Sequence, residues 1–150
     1  MKIIFLDFDG VLSHYKSEYN IDPEKIELLL KIVEETGAKI VISSSWRYNT
    51  FELTKEKLGN LSFFEHVIDV TPRLTYICDG EYYNVPRGEE IDRWLKKHKD
   101  EIENYVILDD EVNDMLFYQK GHIVKTDIYK GLEIKHVKRA IKILNNDNSR

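Results

Sequence analysis

Ile3-Ile4-Phe5-Leu6-Asp7-Phe8-Asp9-Gly10-Val11-Leu12 is the stretch that decides the fold. Four apolar residues run without interruption and stop at a charge and a glycine. An unbroken run of this kind suits a strand buried on both faces, as in a parallel sheet, that delivers its last residues to a loop. Downstream, Asp22 is placed to cap a helix with Pro23 at its first position. Ile26, Leu29, Leu30 and Val33 then follow helical spacing, and Gly37 stands where a C-terminal cap belongs. Ile40-Val41-Ile42 reads as the second buried strand.

The alternation continues. A helix is expected over 50–58, closed by Gly59, then a short turn in which Ser62 and Glu65 have capping-box spacing, then a strand over 67–70. Residues 74–85 differ, because alternating Tyr76, Cys78, Glu81 and Tyr83 around Asp79-Gly80 predict a β-hairpin with a two-residue turn. A third helix over 88–98 carries Ile91, Trp94 and Leu95 on one face, and a fourth strand follows at 105–108. Ile123-Val124 marks a fifth strand, and a last helix over 133–144 turns Ile134, Val137, Ile141 and Leu144 inward. Residues 145–150 read as a frayed tail. Strands alternating with helices imply an α/β three-layer sandwich with a mainly parallel, Rossmann-like sheet of about five strands. The expectation is one domain over 1–150 with a hairpin insertion at about 74–85.

Composition narrows the function classes. A chain of 150 residues, 42% hydrophobic and 33% charged, reads as globular and not disordered. The formal net charge of -5 argues against a general nucleic-acid binder or a membrane-surface protein, which would carry a basic excess. Cys78, the single cysteine, cannot form an internal disulfide. No apolar run approaches the length of a membrane span or a signal-peptide core, and a cytoplasmic protein is expected.

Ligands of an open parallel sheet bind beyond the carboxyl ends of its strands. There strand one delivers Asp7 and Asp9, strand two Ser43, Ser44 and Ser45, and strand four Asp109 and Asp110, with Asp114 a turn later. Arg87 stands at the start of the third helix. Carboxylates converging from two strand ends repel one another unless a divalent cation neutralises them, and hard oxygen ligands suit Mg²⁺. With a guanidinium and a hydroxyl beside it, such a centre fits a phosphoryl group. Each element alone reads more simply as a solvated turn, a helix cap or a surface arginine; their coincidence at one sheet edge favours the site.

Phe5-Leu6-Asp7-Phe8-Asp9-Gly10-Val11-Leu12 resembles the first motif of the haloacid dehalogenase-like (HAD) hydrolases. The resemblance implies that Asp7 is the nucleophile that forms an aspartyl-phosphate and that Asp9 is the general acid and base. Ile40-Val41-Ile42-Ser43-Ser44 resembles the second motif, whose hydroxyl holds a phosphate oxygen; Ser44 is favoured, with Ser43 as the alternative. Leu108-Asp109-Asp110-Glu111-Val112-Asn113-Asp114 resembles the fourth, in which Asp110 would bind Mg²⁺ with Asp7 and the backbone carbonyl of Asp9, supported by Asp109 and Asp114. The third motif is usually a lysine, and Arg87 in Pro86-Arg87-Gly88 takes its place, with Lys96 and Lys97 as weaker candidates. Arginine keeps the charge and adds a bidentate grip on phosphate. The run Thr71-Pro72-Arg73-Leu74, the segment from Arg87 to Leu95, and a Ser-x-Trp-Arg run after strand two also look like a small HAD subgroup that includes domains associated with RNA repair proteins.

An acid at position 9 argues for phosphate chemistry over dehalogenation, since a halide leaves without a proton. Only the 74–85 hairpin is available as a lid, so the site is expected to be open to a phosphorylated substrate, either a small molecule or a nucleic-acid end. Tyr15, Tyr19, Trp46, Tyr48, Tyr76, Tyr82 and Tyr83 fall in segments expected near the mouth, where they could stack on a base or serve structurally. His14 is expected at the surface. The rival readings are a non-catalytic HAD-fold binding domain and a phosphotransferase or phosphomutase.

Overall fold

The structure, a computed structural model, describes residues 1–146; residues 147–150 of the expected tail lie outside it. The chain runs β1 (Lys2–Leu6), α1 (Pro23–Thr36), β2 (Lys39–Ile42), α2 (Phe51–Leu58), β3 (Val67–Val70), β4 (Thr75–Cys78), β5 (Glu81–Asn84), α3 (Arg87–Lys97), β6 (Asn104–Asp109), β7 (Ile123–Lys125) and α4 (Ile134–Leu144), with short 3₁₀ turns between some of them. Five strands form one parallel sheet in the order β3-β2-β1-β6-β7, while β4 and β5 pair separately as an antiparallel hairpin. The chain builds outward from β1 to β3 and then returns to the other side of β1. The strand order therefore reverses between β1 and β6, where a crevice opens at the carboxyl edge of such a sheet.

Residue parity explains why the strands read as unbroken apolar runs. Ile4, Leu6, Ile40, Ile42, Val106 and Leu108 pack on one face in a core that includes Leu29, Ile32 and Val33 of α1 and Val137, Ala140 and Leu144 of α4. Ile3, Phe5, Val41, Tyr105 and Ile107 pack on the other against Ile91 and Trp94 of α3. Both faces are covered, so both parities must be apolar. In register, Leu6 pairs with Ile42 on one side and Leu108 on the other. The ladder runs one step further, with Asp7 N donating to Leu108 O at 3.1 Å and Ser43 N to Leu6 O at 3.0 Å. Asp7, Ser43 and Asp109 thus leave three adjacent strands at one level.

The local signals act as read at most ends. Asp22 accepts from Glu24 N, Gly37 closes α1 in the left-handed region, and Thr50 caps α2 through Leu53 N. The hairpin turns on Asp79 and Gly80, both at positive φ, the conformation that a two-residue turn of this kind requires. Three expectations need correcting. The turn at Ser62–His66 begins at Leu61 with no side-chain cap, so the spacing of Ser62 and Glu65 makes no capping box. Ile134 is 47% exposed, because the first residue of α4 lies beyond the cover that α1 provides. His14 is buried, with Nε2 at 2.8 Å from Asp22 Oδ2. No helix among the described residues is long and apolar enough to cross a membrane.

Candidate active site

The crevice between β1 and β6 holds the carboxylates. Asp7 is 5% exposed and Asp109 fully buried, while Asp110 is partly accessible. Each of the three offers an oxygen within 4.8 Å of the others. Arg87 enters from the start of α3. Its Nη1 donates to Asp109 Oδ2 at 2.9 Å and lies 3.2 Å from Asp7 Oδ1. Close packing brings it there: a Cβ on Gly88 would sit 2.7 Å from Asp114 O and from Met115 Cα, so only glycine lets α3 approach the loop after β6. Asp114 completes the anchor by accepting from Arg87 N at 3.3 Å, and its Oδ1 is buried without a partner among the described residues.

One guanidinium against three carboxylates leaves negative charge in a buried site. The Asp7 carboxyl is pushed up to about 8, first by burial and then by Asp109, against the opposing pull of Arg87. Asp110 is also raised, again chiefly by burial and Asp109. Carboxylates held at this spacing fit a hard divalent cation. The oxygens are not equally free: Asp109 receives Arg87 on Oδ2 and Glu111 N on Oδ1 at 3.0 Å. Asp7 and the more accessible Asp110 are the residues with room to ligate an ion. Gly10, at φ +86°, allows the crowding, since a Cβ there would lie 2.4 Å from Asp110 Cγ. Its carbonyl is held by the Thr126 hydroxyl.

Asp9 faces different partners. Its Oδ1 accepts from Ser13 Oγ at 2.7 Å and its Oδ2 from Trp46 Nε1 at 3.1 Å. Trp46 packs on Phe8, ring centroids 5.3 Å apart. Its indole therefore positions a carboxyl group, a use that the sequence reading, which considered it for base stacking, did not find. The two candidate serines also differ. Ser44 Oγ accepts from Trp46 N at 3.1 Å and shapes the loop, whereas Ser43 Oγ is buried with no partner among the described residues. Strand parity places Ser43 on the α3 side of the sheet, with Asp7 and Asp109.

Among the lysine alternatives, Lys96 pairs with Asp92 at 3.0 Å on the surface of α3, and Lys97 lines a separate hollow with Trp94 and His98; neither joins the cluster. A further arginine escaped notice as a structural centre. Buried Arg47 donates to the carbonyls of Thr71, Ser43, Ser44 and Pro72 and to Glu90 Oε1 at 2.7 Å, tying the loops after β2 and β3 to α3. The signal available was the Ser-x-Trp-Arg run that Arg47 itself ends, read as a resemblance without a role. The hairpin is solvent-exposed along both strands, with Tyr76 stacked on Tyr83.

The arrangement, a carboxylate cluster bridged by an arginine, an adjacent positioned carboxyl group and an unpartnered hydroxyl, can hold a cation and a phosphoryl group together. No curated protein matches the chain. The family model for the HAD domain in Swiss Army Knife RNA repair proteins matches residues 3–137, which include every residue of the cluster. The chain belongs to that family of HAD domains.

Proposed function

We propose that this protein is a Mg²⁺-dependent phosphomonoesterase that works through an aspartyl-phosphate on Asp7, with a phosphorylated nucleic-acid end or a nucleotide as substrate. Family membership supports a phosphatase-type hydrolase, and the RNA repair proteins in the family's description support a nucleic-acid end. One observation carries the reading: Arg87 Nη1 lies between Asp7 and Asp109 at 3.2 and 2.9 Å, while two donors aim Asp9 from the other side of the same loop. A nucleophile, its charge partner and a separately held acid are the parts that phosphoryl transfer to a carboxylate needs.

Asp7 and Asp110 side chains and the Asp9 carbonyl would hold the Mg²⁺, which supplies charge neutralisation between the attacking carboxylate and the phosphate. Asp7 attacks phosphorus, and Asp9 gives its proton to the departing oxygen. In the second half-reaction Asp9 takes a proton from the water that hydrolyses the aspartyl-phosphate. Arg87 and the Ser43 hydroxyl hold the non-bridging oxygens; Ser43, held second to Ser44 from sequence, is preferred because its Oγ is unengaged. Asp110 beside the nucleophile is partly accessible, so water can reach the intermediate, which favours hydrolysis over phosphotransfer.

The test is leaving-group dependence. Asp9→Asn should lose about 10²- to 10⁴-fold in kcat/KM, which reports formation of the aspartyl-phosphate and not its hydrolysis, on alkyl phosphates and far less on an activated aryl phosphate, which needs little protonation. Equal losses on both would sink the acid assignment.

A further inference from the structure

Beside Arg87 opens a cleft of about 560 Å³, lined also by Arg47, Arg73, Thr75, Asn84 and Glu90. It is continuous with the proposed reaction centre, because Arg87 borders it and reaches Asp7. Its charges do not cancel evenly. Glu90 is spent on Arg47 at 2.7 Å and on Leu74 N at 2.9 Å. Asp114, at the other end, receives the Arg87 amide. Arg73 has no carboxylate partner among the described residues, although it is held firmly: Nη2 donates to Ser45 O and Arg47 O at 2.5 and 2.6 Å. A guanidinium fixed by one nitrogen to two carbonyls keeps the N–H groups of Nε and Nη1 for something else. Burial holds the Arg47 guanidinium below its ordinary range, with the charges of Arg73 and Arg87 adding to it against Glu90. Three cations are therefore crowded here. Pro86 and Arg87 also bring the positive end of α3 to this cleft.

We propose that Arg73 forms a second anion site in this cleft, which takes a further phosphate of the substrate whose monoester lies on Asp7. The inference rests on the phosphomonoesterase reading and deepens it. The ligand chemistry is a phosphate oxygen accepting charge-assisted hydrogen bonds from a pre-positioned guanidinium. It can come from the first internucleotide linkage of a phosphorylated oligonucleotide or from the second phosphate of a bisphosphorylated nucleoside. The hairpin adds a surface for the attached base: Thr75 and Asn84 border the cleft, and the two-residue alternation puts Ile77 and Tyr82 on that same face. Tyr82 is 75% exposed there.

The experiment compares a phosphorylated dinucleotide with its analogue carrying a neutral methylphosphonate at the internucleotide linkage, and a nucleoside bisphosphate with the monophosphate. Affinity is measured on Asp7→Asn protein and kcat/KM on protein with Asp7 intact, each with Arg73 present and replaced. With Arg73, the member of at least one pair that carries the additional anionic phosphate should be preferred by roughly 10- to 100-fold. In Arg73→Ala that ratio should fall to about 1. Arg73→Gln, which keeps a donor for the two carbonyls without the charge, should lose the preference equally, so the result does not depend on loop damage, which lowers both members alike. Which pair shows the preference identifies the source. No preference in wild type, or one that survives both substitutions, overturns the site. Absence of hydrolysis of every phosphate with the binding preference intact would instead overturn the phosphatase reading and leave the anion site standing.

Discussion

Replacing Asp7 by Asn should stabilise the metal-free fold, and by an amount that depends on pH. Asp7 is buried, and its carboxyl is pushed from 3.8 to about 8, by burial first and Asp109 second. Between those two values the folded protein holds a proton that the unfolded chain has released, so stability falls as pH rises across the interval and levels off above it. The interval is roughly 4 pH units, which at about 1.4 kcal/mol per unit would amount to about 6 kcal/mol if Asp7 bore the whole cost. Asp110, whose carboxyl is raised as well, titrates with it, so about half, ~3 kcal/mol, is expected from removing Asp7 alone. Asn is neutral throughout. In EDTA, the variant should match wild type within about 0.5 kcal/mol near pH 4 and exceed it by ~3 kcal/mol at pH 9, a rise of about 6–12 °C in Tm for a chain of this size. Thermal melts from pH 4 to 9 measure the difference. Saturating Mg²⁺ at pH 8 should shrink it by stabilising wild type more, since Asp7 must be ionised to ligate. A difference that is flat across pH, or a variant less stable than wild type at pH 9, would refute the electrostatic reasoning.

Three other outcomes are expected. Ser43→Ala should lower kcat/KM on a phosphate monoester by about 10- to 100-fold, as for loss of one hydrogen bond to a charged group, and Ser44→Ala by less; steady-state kinetics decides which hydroxyl serves. Gly10→Ala should destabilise the fold by about 2–4 kcal/mol in urea titrations and weaken Mg²⁺ binding, because a side chain is strained at φ +86° and would overlap Asp110. Arg47→Ala should cost about 3–5 kcal/mol in the same assay, since it leaves Glu90 charged and buried; Arg47→Ala with Glu90→Gln should cost less than the sum of the single changes.

The sheet was legible because its evidence is local. Apolar runs such as 3–6 and 40–42, each ending in polar residues, mark both the strand and the end that carries the candidate site residues. The parallel order then brings Asp7, Ser43 and Asp109 to one edge, and the hairpin declared itself through Asp79-Gly80. What could not be read are the contacts that close over long stretches of chain. Nothing in the spacing says that Trp46 would turn its N–H toward Asp9, 37 positions earlier, or that Arg47 would find Glu90 across 43. Periodicity gives the face a residue occupies, while the path of a loop decides which polar group that face meets. His14 shows the same limit. Its identity suggests surface, and only the packing of the segment between β1 and α1 against Asp22 and Gly131 buries it.

The two aspartates of the first loop are separated by one residue, yet their surroundings make them chemically unlike. Asp7 continues the β1 ladder and stays with the buried charges, where Arg87 and the neighbouring carboxylates set its behaviour. Past Phe8, which is fully buried, the chain turns, and Asp9 meets a hydroxyl and an indole that carry no formal charge. A carboxylate among charges suits attack on phosphorus once a cation balances its neighbours; one oriented by neutral donors, outside the carboxylate cluster, suits proton transfer to an oxygen on the opposite side. Gly10 makes the division possible, because the left-handed turn at that position brings the loop back against Asp110 without a side chain to displace it. The proposed nucleophile and acid are therefore not interchangeable: Asn at 7 removes the attacking group for every substrate, whereas Asn at 9 affects the first half-reaction only as far as the leaving group needs a proton.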